Sequence, residues 1–278
     1  MTESLPAVSR TAVGVAALRA AESRRPDRLF DDPYAAAFFE AGRSTLPDTS
    51  PDGPQARFGA MFYPQVVIRT RFYDDQLLGS GCTQVVLLAA GLDTRAFRLA
   101  WPDGTRLFEL DLPEVLAFKA DVLAAQGAEP ACERVVVPAD LREDWATALR
   151  EAGFDPAVPT AWLAEGLLIY LSYDEASRLL TTVGELSAPG SRITFEHRPG
   201  DAPDSLITRA KAAPGGEHVT DLWRGGLRDT APEWLAAHGW EPSTVTRAEL
   251  ATAYGRPSDD DATAGGFVSA VCQSSTLR

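Results

Sequence analysis

Residues 85–95 read Val85-Val86-Leu87-Leu88-Ala89-Ala90-Gly91-Leu92-Asp93-Thr94-Arg95. A short apolar run that ends in a small-residue turn is the pattern of a strand buried on both faces. Outward from this stretch the same unit recurs. Leu107–Leu110 is a second apolar run, followed by a helix that opens at Pro113 and ends at Gly127. Val135–Val137 is a third, with a helix expected over Arg142–Ala152 and closed by Gly153. Ala161–Ala164 is a fourth, after which Ser172 and Glu175 form a capping box for a helix running towards Pro189-Gly190. Arg192–Phe195 is a fifth. Such alternation predicts an α/β fold: a mostly parallel sheet with helices on both faces. Pro232–His238 reads as a further helix, and Gly266–Cys272 as a last strand, expected antiparallel at the sheet edge.

The N-terminal part reads as helical. Asp32-Pro33 precedes an Ala/Phe-rich run to Gly42, a helix-starting proline and a helix-ending glycine. Pro64–Leu78 places apolar residues on one face, with Arg69 and Arg71 among them. Leu46–Pro54 and Pro199–Gly216 are richer in Pro, Gly and Asp and read as loops.

The chain has 278 residues, with 26 Lys and Arg against 39 Asp and Glu, a formal net charge of -13. That field repels phosphate backbones and anionic lipid, so neither nucleic acid nor membrane is expected as a partner. Cys82, Cys132 and Cys272 are widely spaced and match no metal motif, and the odd count suits a reducing compartment. His197, His218 and His238 are equally scattered, so no metal site is expected. Arg10 and Arg19 interrupt the Ala/Val stretch near the start, which is no signal peptide, and no run is long enough to span a bilayer. A cytoplasmic location is expected.

Ligands of an open parallel sheet bind beyond the carboxyl ends of its strands. After the first strand comes Gly91, where backbone can approach a ligand, and Asp93, which can equally cap the following turn. After the second comes Asp111, suited either to a ribose diol or to capping the helix at Pro113. After the third comes Asp140-Leu141: the acid could take an adenine amino group and the leucine its ring, or the acid could cap a helix. After the fourth comes Glu165, in apolar surroundings that demand a partner. A ligand ammonium would serve; so would Arg69, Arg71 or Arg95. Only one glycine follows the first strand, which departs from the dinucleotide fingerprint.

The segments VVLLAAGLDTRAFRL, LFELDLPEVLAFK, VPADLREDWATAL and AWLAEGLLIYLS resemble the leucine carboxyl methyltransferase-like family, as do RAAESRRPDRLFDDPYAAAF and VIRTRFYDD. This is a branch of the class I S-adenosylmethionine-dependent methyltransferases that includes polyketide carboxyl O-methyltransferases. The resemblance runs from about Thr11 to Phe195. It implies a Rossmann-like sheet whose last strand is antiparallel. It further implies a helical cap over residues 1–80 that takes part in the active site, and a cofactor-binding core over 81–278 with a substrate-pocket insertion around 199–230. Gly91 would lie against the methionine portion of the cofactor, with Asp93 and Arg95 shaping the loop. Asp111 would bind the ribose hydroxyls beside Leu112, and Asp140 and Leu141 the adenine. Glu165 would sit near the amino end and Arg69 would pair with the cofactor's carboxylate. Arg19 is a further candidate at the mouth.

The implied activity is O-methylation of a small-molecule acceptor with S-adenosylmethionine and no metal. A carboxylate acceptor of the kind found in a natural-product acid is already ionised and needs no base. A phenol or alcohol would call on one, for which His197 and His218 are the candidates, each of which could equally be a packing or surface residue. Tyr63, Tyr73 and Tyr170 could line the pocket or belong to the core. A nicotinamide oxidoreductase and a non-catalytic S-adenosylmethionine-binding protein are the competing classes. The pattern leaves homo-oligomerisation open.

Overall fold

The computed structural model describes residues 7–46, 53–197, 221–227, 230–256 and 265–273. The stretch Pro199–Gly216 and His218 lie outside them. Among the described residues seven strands form one sheet: β1 (Gln84–Leu88), β2 (Arg106–Asp111), β3 (Glu133–Pro138), β4 (Thr160–Ala164), β5 (Arg192–His197), β6 (Trp240–Thr246) and β7 (Gly266–Cys272). Their order is β3-β2-β1-β4-β5-β7-β6. The first five run parallel, and β7 is antiparallel to both β5 and β6. The reversed last strand is therefore as expected, but it lies one place in from the edge. The edge itself is β6, which carries Pro242 and few apolar residues; proline tolerates an edge better than a sheet interior.

Alternate residues of the central strands feed two cores. Val86, Leu88, Phe108, Trp162, Ile193 and Phe195 face α6 (Trp145–Glu151), α7 (Tyr173–Glu185) and α8 (Ala231–Ala237). Val85, Leu87, Leu107, Ala161 and Leu163 face the other way, onto Ile68, Phe72, Tyr73 and Leu77 of α3 (Pro54–Leu78) and Ala251 of α9 (Arg247–Ala253). All five residues of β1 and of β4 are buried. A smaller core joins α1 (Ala7–Ser23), α2 (Ala35–Gly42) and α5 (Pro113–Ala125) through Val13, Phe38, Leu92 and Val122. α3 is thus a covering helix of the sheet.

Two helix starts differ from expectation. α3 begins at Pro54 with Pro64 in its interior, where the sequence suggested a start. Pro64 and Ala60 are both exposed, so the carbonyl left without its N–H partner faces solvent at small cost. α6 begins at Trp145 because Asp144 caps it, accepting from the Thr147 amide at 3.2 Å. The capping box of α7 is present as read, Ser172 with Glu175. α9 carries the same device at Thr246 and Glu249.

From β1 the chain proceeds to β2 and β3 on one side, and from β4 to β5 on the other. The loops after β1 and β4 therefore part at a topological switch point, where a crevice opens. Gly266 lies beside the Val245 and Thr246 backbone of β6 with no room for a Cβ. Gly266→Ala should lower the free energy of unfolding by about 1–3 kcal/mol, as overpacking does. Urea denaturation checks this; an unchanged midpoint would mean that β6 shifts freely.

Candidate active site

The crevice is built from the ends of β1, β2, β3, β4 and β5. After β1 the chain turns sharply: Ala89 has φ 53 and Gly91 φ 49. The left-handed conformation is unusual for alanine and suits glycine. Asp111, at the end of β2, holds this turn. Its Oδ2 accepts from the Gly91 amide at 2.6 Å and its Oδ1 from the Leu112 amide at 2.7 Å. These are not the helix-capping bonds of α5, whose N-cap Leu112 makes no side-chain cap. Burial pushes the Asp111 carboxyl up, and the Gly91 and Leu112 amides oppose it.

Glu165 follows β4 and lies between two arginines. Its Oε1 is 3.0 Å from Nε of Arg69, and its Oε2 accepts from Nη1 of Arg95 at 2.7 Å. Burial alone would raise the Glu165 carboxyl; Arg95 and then Arg69 outweigh it and hold it below its ordinary value. Arg69 also donates from Nη1 to Oε1 of Glu196 at 3.0 Å. Arg71, left open by spacing, instead pairs with Asp75 and the Leu29 carbonyl away from Glu165.

Arg95 is 1 % exposed and serves three carboxylates. It binds Asp74 at 2.7 Å through Nε, and Asp93 and Glu165 through Nη1. Asp93 also accepts from the Arg95 amide at 2.7 Å. Arg98 completes the cluster with a two-point contact to Asp74 at 2.7 Å. Burial would raise the Asp93 carboxyl, but Arg95, with Lys119 and Arg19 behind it, brings it down to about 2.

The remaining sequence-predicted residues are placed as follows. Asp140 is partly exposed and held by Arg142, whose amide donates to it at 2.9 Å and whose guanidinium pairs with it. It does not cap α6. Leu141 packs on the core beneath α6 and α7 and lines a small cavity of about 180 Å³ with Trp145, Leu171 and Leu179. Arg19 is buried, donates to the Leu92 carbonyl at 2.6 Å and pairs with Asp32, bracing the β1 loop from α1. Tyr73 belongs to the core beside Phe72 and Phe267, and the Tyr63 hydroxyl donates to Glu22 at 2.5 Å. Tyr170 is half-buried in the short turn after β4. His197 is buried at the end of β5, paired across to Gly266. Among the described residues no group of three His, Cys, Asp or Glu could hold a metal, and no helix is long and apolar enough to cross a membrane.

Sequence reasoning missed Glu196, Asp74 and Arg98. Glu196 was findable: it is the strand-end acid of β5, one residue before the histidine that was weighed. Asp74 offered less, since an acid on α3 reads as solvated until the partner is known.

Segment 221–227 also reaches the crevice rim. The Arg224 and Gly225 amides donate to the Ile169 carbonyl, and the Trp223 ring meets Phe62 of α3 edge-on at 6.5 Å.

The strand order and the reversed last strand are those of the Rossmann-like methyltransferase fold. Two solved structures share this fold: a DUF574 family protein of Streptomyces avermitilis (TM-score 0.59, 16 % identity, 98 % of each chain covered) and a candidate methyltransferase of Thermobifida fusca (TM-score 0.52, 18 % identity, 92 % of this chain and 94 % of that one). The sequence profile described as leucine carboxyl methyltransferase matches residues 12–184, and the chain belongs to that family. Among its relatives is a candidate S-adenosyl-L-methionine-dependent methyltransferase of Parafrankia sp., 52 % identical over 94 % of this chain and 85 % of the relative. Another from Streptomyces coelicolor is 48 % identical over 94 % of each. The chain is accordingly a methyltransferase that uses S-adenosylmethionine.

Removing the Arg95 guanidinium would take from the buried Asp93 its guanidinium partner, and would leave Asp74 with Arg98 and Glu165 with Arg69. Arg95→Met should destabilise the protein by about 3–5 kcal/mol, read by urea denaturation; a loss below 1 kcal/mol would mean that the acids find other partners. Because Asp93 titrates lower folded than unfolded, its contribution is full above pH 4 and is lost as pH falls towards 2. The melting temperatures of wild type and Asp93→Asn should therefore converge over that window.

Proposed function

We propose that this chain methylates a carboxylate oxygen of a small natural-product acid. The observation that carries the cofactor part is the half-used carboxylate of Asp111. Each of its oxygens takes one backbone amide, which leaves an acceptor site on each for a vicinal diol. Gly91 fits beside it, since the backbone there is left-handed and unscreened by a side chain. Arg69 and Glu165 offer opposite charges side by side, the donor set for an amino-acid carboxylate and ammonium. Asp140 and Leu141 would hold adenine, with Arg142 giving way from Asp140. Arg95 and Asp93 support the loop without touching the ligand.

When bound, the cofactor supplies an activated methyl group for in-line displacement. The protein's part is then alignment and exclusion of water. α1, α2 and α3 would act as the cap, and Phe62 with Trp223 would form an apolar wall for the acceptor. The description of the matching family favours a carboxyl acceptor. The burial of His197 and its place in the strand ladder agree with chemistry that needs no base. An alcohol or phenol acceptor is the second reading, and it would draw on a histidine.

Isothermal calorimetry with S-adenosylhomocysteine, with NAD as control, tests the cofactor assignment. Asp111→Ala should weaken binding at least tenfold, as expected for lost hydrogen bonds to a charged group (about 1.5–3 kcal/mol each), while circular dichroism stays unchanged. Equal affinity would remove Asp111 from the site. In assays across apolar carboxylic acids and the matching alcohols, acids should be turned over and His197→Ala should leave kcat unchanged. A drop of about 10²–10⁴-fold, the worth of a general base, would instead favour the hydroxyl acceptor.

A further inference from the structure

Glu196 is a strand-end acid for which the cofactor assignment so far has no use. It lies on β5 with one oxygen accepting from Arg69 Nη1 at 3.0 Å. The Gly166 amide donates to both its oxygens, at 3.0 and 2.9 Å. Gly166 has φ 63, and a Cβ there would come within 3.5 Å of Arg69 Nη1. The loop after β4, the Arg69 guanidinium and Glu196 are therefore locked to one another. Tyr73 of α3 and Glu165 also face the Glu196 carboxylate.

An arginine paired with Glu165 needs no second acid for its own neutrality. Taken together, Arg69, Arg95 and Arg98 face Asp74, Asp93, Glu165 and Glu196. The fourth carboxylate is offset from behind, where Lys119 and Arg134 both meet Glu109 and where Lys119 and Arg19 act on Asp93. What Glu196 adds at the carboxyl ends of β4 and β5, where the crevice opens, is a fixed direction for Arg69 and for the Gly166 amide.

We propose that Glu196 is a positioning residue for the amino-acid end of the cofactor: it orients Arg69 and the Gly166 loop that would meet that end. This rests on the cofactor reading above. The guanidinium is then aimed by two acids at once, Glu165 and Glu196.

The test compares two probes by calorimetry. S-Adenosylhomocysteine has the amino-acid end; 5′-methylthioadenosine lacks it. Glu196→Gln retains the shape and an acceptor oxygen but removes the charge. It should weaken S-adenosylhomocysteine by about tenfold, the loss of one charge-assisted interaction, and leave methylthioadenosine unchanged. A role confined to holding the fold would shift both probes together, and either that result or no change in either overturns the proposal. Should Glu196→Gln not fold, Glu196→Asp keeps the charge and loses the reach. The same selective loss supports the proposal, and a parallel effect on both probes overturns it. If wild type binds methylthioadenosine and S-adenosylhomocysteine equally, Glu196 has no amino-acid end to serve and the proposal fails while the nucleoside reading stands. If wild type binds neither, the cofactor reading itself is withdrawn.

Discussion

The buried guanidinium of Arg95 joins three pieces of chain that are distant in sequence: α3 through Asp74, the β4 end through Glu165, and the β1 loop with its short helix α4 (Arg95–Arg98), which holds Arg95 itself and Asp93. Its carbonyl also accepts from the Trp101 indole at 2.8 Å. A charge this deep is tolerable only because every lobe of the planar fork meets a partner. Those carboxylates are in turn stabilised by it, Asp74 together with Arg98 and Glu165 together with Arg69. The consequence is a crevice whose floor is set before any ligand arrives, with the loops after β1 and β4 held against α3.

That floor also sets a guanidinium among the acids of a chain that is acidic as a whole. Arg69 is brought to the β4 and β5 ends on α3, and it carries positive charge to a place where the sheet offers only acids. The acids then hold it in orientation. The local field depends on the geometry of this cluster, and the overall charge of -13 acts at longer range.

The fold was largely legible because its central strands are buried on both faces and so read as uninterrupted apolar runs. β6 was not: Trp240-Glu241-Pro242-Ser243-Thr244-Val245-Thr246 has a proline and a polar face, the composition of an edge. The early start of α3 was hidden because Pro64 mimics a helix beginning. Gly91, Asp111 and Glu165 were read as candidates from the rule that ligands meet the strand ends, and the structure shows Asp111 bonding the loop amides. Asp140 was found by the same rule, though its observed partner is Arg142. Glu196 obeyed that rule too and was overlooked beside His197. The choice between Arg69 and Arg71 came from the family motif, since two residues apart on one helix give no contact information.

The sequence by itself determined the alternation of strand and helix, the acids at successive strand ends, and the family, because each is written in local patterns or contiguous motifs. Only the tertiary structure decided which arginine meets which acid. Asp74 and Arg95, or Arg69 and Glu196, lie 21 and 127 positions apart. Whether such charges face solvent, a ligand or each other depends on how α3 lies across the sheet. That packing is a sum over many apolar contacts, and no single stretch of chain carries it.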